Sequence, residues 1–231
     1  MPGRLYIVAT PIGNLEDISA RALRILKEVN LVLTEDTRVT RKLLVAYGIQ
    51  TTVESYHQHS SDSKKSEILR YLLEGKDIAL VTDAGTPGIS DPGNELVDFI
   101  LRTNRDIKVI PIPGSSSLTA ALSVCGFNVS NFVFIGFWPK KKARKLISQI
   151  VDWKMPVVFF ESPYRIVKTV DLLISQLGEN KQIFVGQELT KLHERTLRGG
   201  LGEVKEMLET EQKEAGRVRG EIVCVLDFTS H

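Results

Sequence analysis

The chain of 231 residues is 42% hydrophobic and 25% charged, the balance of a folded globular protein long enough for one large core or two small ones. Its 30 Lys and Arg against 28 Asp and Glu leave a formal charge of +2, which excludes a polybasic coat or an acidic tail, and no region is compositionally simple enough to stay disordered. Apolar runs such as Ile78–Val81 and Val157–Phe160 fall far below the ~20 residues of a membrane span. After Arg4, Leu5–Ala9 is too short for a signal-peptide core and reads as a first strand. Ser19 is placed to cap a helix running to about Val29, with Leu23, Leu26 and Val29 along one stripe. Leu31–Leu33 forms a second strand, and Thr37 starts a helix that Gly48 ends. Thr51–Tyr56, a polar loop and a helix over Ser63–Glu74 follow, then an apolar strand at Ile78–Thr82. A Gly/Pro loop leads to a helix near Asn94–Leu101 and a strand at Lys108–Ile112.

A second cycle begins after Pro111-Ile112-Pro113-Gly114. It has a helix near Ser116–Val124, a strand at Phe132–Phe137, a basic helix at Arg144–Val151 and a strand at Val157–Glu161. A helix over Ile166–Leu177, a strand at Ile183–Glu188, a helix near Glu203–Glu211 and a closing strand at Glu221–Phe228 complete it. Alternation at this spacing predicts the α/β class with a mainly parallel sheet covered on both faces. We divide the chain into an α/β domain over 1–112 and a second over 113–231. Cys125 and Cys224 lie among apolar neighbours, so two buried free thiols in the cytosol are expected rather than a disulfide.

Ligands of open α/β sheets sit at the carboxyl ends of strands, and four loops there are unusual. They are Ala9–Asp17, Glu35–Arg38, Asp83–Gly93 and Pro111–Ser117. The third holds three Gly and two Pro in eleven residues: glycine lets a backbone approach a ligand without a Cβ, and proline stiffens the approach. It contains neither G-x-G-x-x-G nor the G-K-[ST] of a P-loop, so phosphate cradling is weakly supported, and a tight strand-to-helix turn is the plain alternative. Ser115–Ser117 can cap the next helix or hydrogen-bond a ligand carboxylate.

Seven ordered segments carry a resemblance: VATPIGNLEDIS (8–19), EDTRVTRKLL (35–44), VTDAGTPGISDPG (81–93), PGSSS (113–117), FIGFWPKKKAR (134–144), FESPYR (160–165) and QELTKLHE (187–194). With them the chain resembles the tetrapyrrole methylase superfamily of S-adenosylmethionine-dependent enzymes. Within it, the segments are most similar to the branch that methylates a cytidine ribose 2′-hydroxyl in bacterial small-subunit (16S) ribosomal RNA. The resemblance implies two α/β domains with the methyl donor in the cleft between them, and a homodimer. It departs from the branch at Gln58-His59-Ser60, where a Glu-His-Asn-like run is expected, at Tyr164 for His, and at Ser115-Ser116 for Pro-Ser. Many members carry a helical extension after the last strand, whereas this sequence ends at His231. With a net charge of only +2, the expected substrate is therefore a largely assembled small subunit, recognised through a preordered single-stranded loop.

Methyl transfer from a sulfonium requires alignment of carbon and oxygen and help in removing the hydroxyl proton. Glu35, Asp36 and Arg38 sit where a parallel sheet places its chemistry; alternatively Asp36 or Thr37 caps the helix and Arg38 pairs with a carboxylate. Lys191 is the fourth candidate for the hydroxyl, or a solvated loop lysine. Donor contacts are expected from Asp83, Gly85, Thr86, Gly88, Ser90, Asp91, Pro92, Ser115 and Ser116, and by resemblance from Glu161. RNA contacts are expected from Arg41, Lys42, His57, His59 and the run Lys140, Lys141, Lys142 and Arg144, with Trp138 as a stacking surface. Arg165 is placed either on a phosphate or on Glu161. His57 and His59 lack partners at ligand spacing, so no metal is expected. Two rivals remain: a methylase acting on a tetrapyrrole, and a relative that binds RNA without chemistry.

Overall fold

A computed structural model describes residues 1–58 and 60–228. The chain divides into two compact units, Met1–Ser116 and Ser117–His231. The division lies a few residues past position 112 because the Pro113–Ser116 turn is held by the first unit. The Ser115 hydroxyl donates to the Asp17 carbonyl at 3.2 Å, and a Cβ on Gly114 would stand 3.0 Å from that of Ala9.

The first unit contains β1 (Leu5–Val8), α1 (Ala20–Glu28), β2 (Leu31–Thr34), α2 (Thr37–Ala46), β3 (Val53–Ser55), α3 (Asp62–Leu73), β4 (Ile78–Leu80), α4 (Asn94–Thr103) and β5 (Val109–Ile112). Its sheet has the order β3-β2-β4-β1-β5, and every pairing is parallel. Side chains alternate across such a sheet. Tyr6, Val8, Val32 and Ala79 therefore pack with Ala22, Ile25, Leu26 and Leu44 of α1 and α2. Leu5, Leu33, Ile78 and Leu80 pack with Ile68, Leu72, Leu96 and Ile100 of α3 and α4 on the opposite face. Burying each large aliphatic side chain contributes about 1.5–3 kcal/mol. Ser19 caps α1, its side chain accepting from the Ala22 amide. The buried stripe of that helix is Ala22, Ile25, Leu26 and Val29, with Leu23 only partly buried.

The second unit contains α5 (Ser117–Val124), β6 (Val133–Phe137), α6 (Ala143–Trp153), β7 (Val157–Glu161), α7 (Ile166–Leu177), β8 (Gln182–Gln187), β9 (Arg195–Gly200), α8 (Leu201–Ala215) and β10 (Ile222–Leu226). Its sheet order is β6-β7-β10-β8-β9. Here the expectation of a mainly parallel sheet is corrected. Only β6 and β7 pair in parallel, whereas β10 lies antiparallel between β7 and β8, and β9 folds back antiparallel on β8. Strand β9 was not expected at all, because RTLRGG shows no apolar alternation; Leu197 alone supplies a buried apolar side chain from it. One face of the sheet packs Phe159, Val185 and Cys224 against Ile147, Ile150, Val170, Leu173, Val204 and Leu208 of α6, α7 and α8; α5 packs on β10. Among the described residues no helix is long and apolar enough to cross a membrane.

These directions fix where chemistry can gather. In the first unit the carboxyl ends of all five strands share one edge. In the second, β6, β7 and β8 run the same way, so their carboxyl ends share an edge with the starts of β9 and β10.

Candidate active site

At the strand-end edge of the first unit, three loops are knitted together through main chain. Thr10 and Gly85 exchange two amide–carbonyl bonds, at 2.9 and 3.0 Å, and the Thr10 hydroxyl donates to the Thr82 carbonyl at 3.0 Å. The Thr86 hydroxyl reaches the Ser115 carbonyl at 3.1 Å. Gly85, Gly88 and Gly93 have φ of +85°, +83° and +145°, and Ser90 has +65°, a region costly for side chains with a Cβ. At Gly88 a Cβ would also stand 2.4 Å from Asn94 Oδ1, so that side chain, whose amide donates to the Gly88 carbonyl at 2.8 Å, would have to move. Asp91 and Pro92 lie half-buried in this loop, and Ser116 half-buried at the end of the third loop. The edge is thus a rigid rim of glycine and hydroxyl main chain. A groove of about 450 Å³ lined by Lys27, Asn30, Gly48 and Thr51 opens at the amino ends of β2 and β3, away from this rim.

The loop after β2 joins the same rim, since the Asp36 amide donates to Asp83 Oδ1 at 3.1 Å. Asp36 caps α2, accepting from the Arg38 amide at 2.8 Å. It also takes Arg38 side on, with Nη2 2.6 Å from Oδ2 and Nε 3.0 Å from Oδ1. Those Arg38 hydrogen bonds hold its carboxyl at about 2, so it is a fixed negative charge and a poor proton acceptor near neutrality. Arg38 is largely exposed, Glu35 is exposed, and both Arg41 and Lys42 face solvent on α2. His57 is exposed, its amide donating to the Ser60 hydroxyl; His59 lies outside the described residues. Among the described residues no three His, Cys, Asp or Glu side chains gather as metal ligands would.

In the second unit Glu161, at the end of β7, has a fully buried side chain. It accepts from Arg165 Nη2 at 2.6 and 2.9 Å and from Nε at 2.9 Å. The Thr169 hydroxyl at 2.5 Å and the Ser162 amide at 2.6 Å complete its shell. Arg165 further donates to the Trp138 carbonyl at 2.7 Å. Its guanidinium is therefore turned inward onto the fold, not outward to a phosphate. The expectation for Trp138 is corrected: it is 3% exposed and packs on Phe159 with ring centroids 4.7 Å apart. The exposed ring beside the basic run is Phe137. Lys140, Lys141, Lys142 and Arg144 are all exposed, with Lys142 in the left-handed conformation just before α6.

After β8, Lys191 Nζ lies 2.9 Å from Glu188 Oε1 and 3.1 Å from Glu221 Oε2. Burial opposes its charge, but the two carboxylates outweigh that and raise its pKa, so Lys191 is a cation at neutral pH. Sequence reasoning missed Glu188 and Glu221 as its partners, and missed two buried oxygens without a partner, Gln187 Oε1 and Thr190 Oγ1. It also missed the bond from Arg217 Nη1 to the Tyr164 hydroxyl at 2.8 Å. No local pattern announces a contact across fifty residues.

A parallel α/β unit with a glycine-rich rim and no dinucleotide fingerprint, followed by a mixed α/β unit, is a fold shared with solved structures. Diphthine synthase has it, with a TM-score of 0.71 at 15% identity over 97% of this chain and 90% of that one. So does a cobalt precorrin-4 methyltransferase of cobalamin biosynthesis, with 0.69 at 16% over 98% and 95%. The chain belongs to the Tetrapyrrole (Corrin/Porphyrin) Methylases, whose family pattern matches residues 4–205. Curated relatives are named ribosomal RNA small subunit methyltransferase I. That of Thermotoga maritima is 42% identical over 97% of this chain and 98% of its own length. That of Halalkalibacterium halodurans is 45% identical over 87% and 69%, and that of Bacillus subtilis 40% over 99% and 76%.

Proposed function

We propose that this chain transfers the methyl group of S-adenosylmethionine to the 2′-hydroxyl of a cytidine in the decoding region of small-subunit ribosomal RNA. The observation that carries the reading is the 42% identity to the Thermotoga maritima ribosomal RNA small subunit methyltransferase I over nearly the full length of both chains. The donor is supported by a uroporphyrin-III C-methyltransferase from Thermus thermophilus solved with S-adenosyl homocysteine, a fold neighbour with a TM-score of 0.64. It also fits the rim built here, where glycines at positive φ let the backbone come close to a ligand without a Cβ in the way.

The reaction is a displacement. The ribose oxygen bonds to the methyl carbon, the carbon–sulfur pair stays on sulfur, and the hydroxyl proton leaves. Asp83, Gly85, Thr86, Gly88, Ser90, Asp91, Pro92, Ser115 and Ser116 hold the donor. Asp36 keeps Arg38 in place, and Arg38 stabilises charge developing on the oxygen. Glu35, exposed and without an ion-pair partner among the described residues, is the carboxylate free to accept the proton. Lys191 serves as a fixed cation. Glu161 shapes the site through Arg165. Lys140, Lys141, Lys142 and Arg144, with Arg41, Lys42 and His57, hold RNA phosphates. The enzyme works in the cytosol as a homodimer on a largely assembled subunit, for which the dimer is checked by sedimentation.

The test supplies tritiated donor with assembled small subunits, naked RNA and a precorrin. Nuclease digestion and mass spectrometry locate the methyl group, and alkali resistance of the adjacent linkage marks a ribose product. A methyl on a base, on the precorrin, or on no acceptor overturns the proposal.

A further inference from the structure

We propose that Tyr164 and Arg217 form a platform for an unstacked RNA base, beside the phosphate-binding run at Lys140–Lys142. The proposal rests on the RNA reading above and names a site within it.

The Tyr164 ring is 70% exposed in the turn after β7, yet it is not loose. Its hydroxyl accepts from Arg217 Nη1 at 2.8 Å, and that guanidinium stands 5.8 Å from the ring centroid. Arg217 has no acidic partner among the described residues, nor have Lys140, Lys141, Lys142, Arg144 and Lys145. By contrast Arg165, Lys191, Arg195 and Lys205 of the same unit are all paired with carboxylates. Lys140, Lys141, Lys142, Arg144 and Lys145 follow one another between β6 and the first turn of α6, whereas other cations without a carboxylate, such as Lys154, Lys181 and Lys213, lie singly elsewhere in the unit.

The adjacency is built in. Phe137 pairs with Phe160 in the parallel ladder, the Trp138 amide donates to the Phe160 carbonyl at 2.8 Å, and Arg165 returns a bond to the Trp138 carbonyl at 2.7 Å. Tyr164 is thus held next to the root of the basic loop. A water-exposed aromatic face with a guanidinium at its edge and unpaired lysines alongside matches single-stranded nucleic acid: the ring stacks a base and the cations meet the backbone. A duplex, whose bases are already stacked, offers the ring nothing.

The test measures binding of a labelled hexacytidylate RNA by fluorescence anisotropy at 50 mM salt, and of the same strand with abasic riboses at its four central positions. Tyr164→Ala is expected to lose about tenfold or more on the intact strand, from the usual strength of base–aromatic stacking, with no loss on the abasic one. Tyr164→Phe, which keeps the ring, stays within about threefold of the wild type. The salt slope is unchanged in both, because no phosphate contact is lost. Equal binding by Tyr164→Ala and wild type, equal losses on both strands, a Phe variant as weak as the Ala variant, or a wild type that ignores the hexamer would each overturn the platform. Methyl transfer to subunits is followed in parallel. If the wild type methylates RNA while the binding result is negative, the platform alone fails; if it methylates no RNA, the functional reading fails.

Discussion

Replacing Glu161 with Ala removes the carboxylate that organises the turn after β7. The substitution strips the Arg165 guanidinium, the Thr169 hydroxyl and the Ser162 amide of their shared acceptor. Breaking a buried ion pair from one side costs roughly 3–5 kcal/mol, because the remaining charge is left without compensation. Arg165 keeps the Trp138 carbonyl and is 26% exposed, so the lower end, about 3 kcal/mol, applies. With a urea slope of about 1–3 kcal/mol per molar, the midpoint falls by roughly 1–3 M. Both tryptophans of the chain, Trp138 and Trp153, belong to the second unit, so their emission reports its unfolding. The double variant Glu161→Ala, Arg165→Met is expected to be more stable than Glu161→Ala alone, since it carries no stranded cation. A midpoint shift below about 0.3 M, or a double variant less stable than the single, would refute the reasoning.

Other expectations are equally direct. The Asp36 carboxyl, lowered from 3.8 to about 2 by its Arg38 hydrogen bonds, contributes stability that is complete above about pH 4 and fades as pH falls through about 2; carbon-13 NMR titration reads the midpoint, and Arg38→Met should return it towards 3.8. Asp36→Asn keeps the helix cap, Asn being an equally good one, but loses the charge that holds Arg38; turnover on subunits should drop by at least tenfold with donor affinity unchanged in calorimetry, and an equal loss of both would assign Asp36 to donor binding. Gly88→Val forces a β-branched residue to φ +83° against Asn94, so donor affinity should fall at least tenfold in a protein that keeps its circular dichroism; unchanged affinity removes the loop from the donor site. Burial pushes the Cys224 thiol well up, so it should resist a thiol-specific disulfide reagent at pH 8 until urea unfolds the second unit, and rapid native labelling of Cys224 would contradict its packing.

Much of this architecture is written locally. Val157–Glu161 and Ile166–Leu177 appear in the structure with the bounds their sequence suggests, because a short β-branched and aromatic run and a helix-length periodic run closed by Gly178 are local signals. The conformation of the Asp83–Gly93 loop is legible for the same reason: its three glycines, set between a buried strand and a helix, all take positive φ. For Asp36 and Arg38 the sequence offered a cap and a carboxylate pairing as the alternative to chemistry, and the structure shows both; that the carboxylate is Asp36 itself emerges only at the start of α2, where capping geometry turns one onto the other.

What the chain order could not decide is direction and parity. An apolar run such as Ile222–Leu226 is the same whether it enters the sheet parallel or antiparallel, so the mixed second sheet follows from packing between β7 and β8. RTLRGG becomes a strand because β8 offers it an open edge, against its own weak propensity. Phe137 and Trp138 are neighbours of similar character, and the turn out of β6 beside β7 buries the tryptophan and exposes the phenylalanine. Arg165 faces inward because the buried Glu161 needs a cation, and Tyr164 beside it is left facing water, where Arg217 meets it from a segment 53 residues away. Residue types and their spacing determined the fold class, the loops and the family of this protein. Which side chains are partnered and which are left free for a ligand was decided only by tertiary structure, because electrostatic and hydrogen-bond satisfaction depends on neighbours in space.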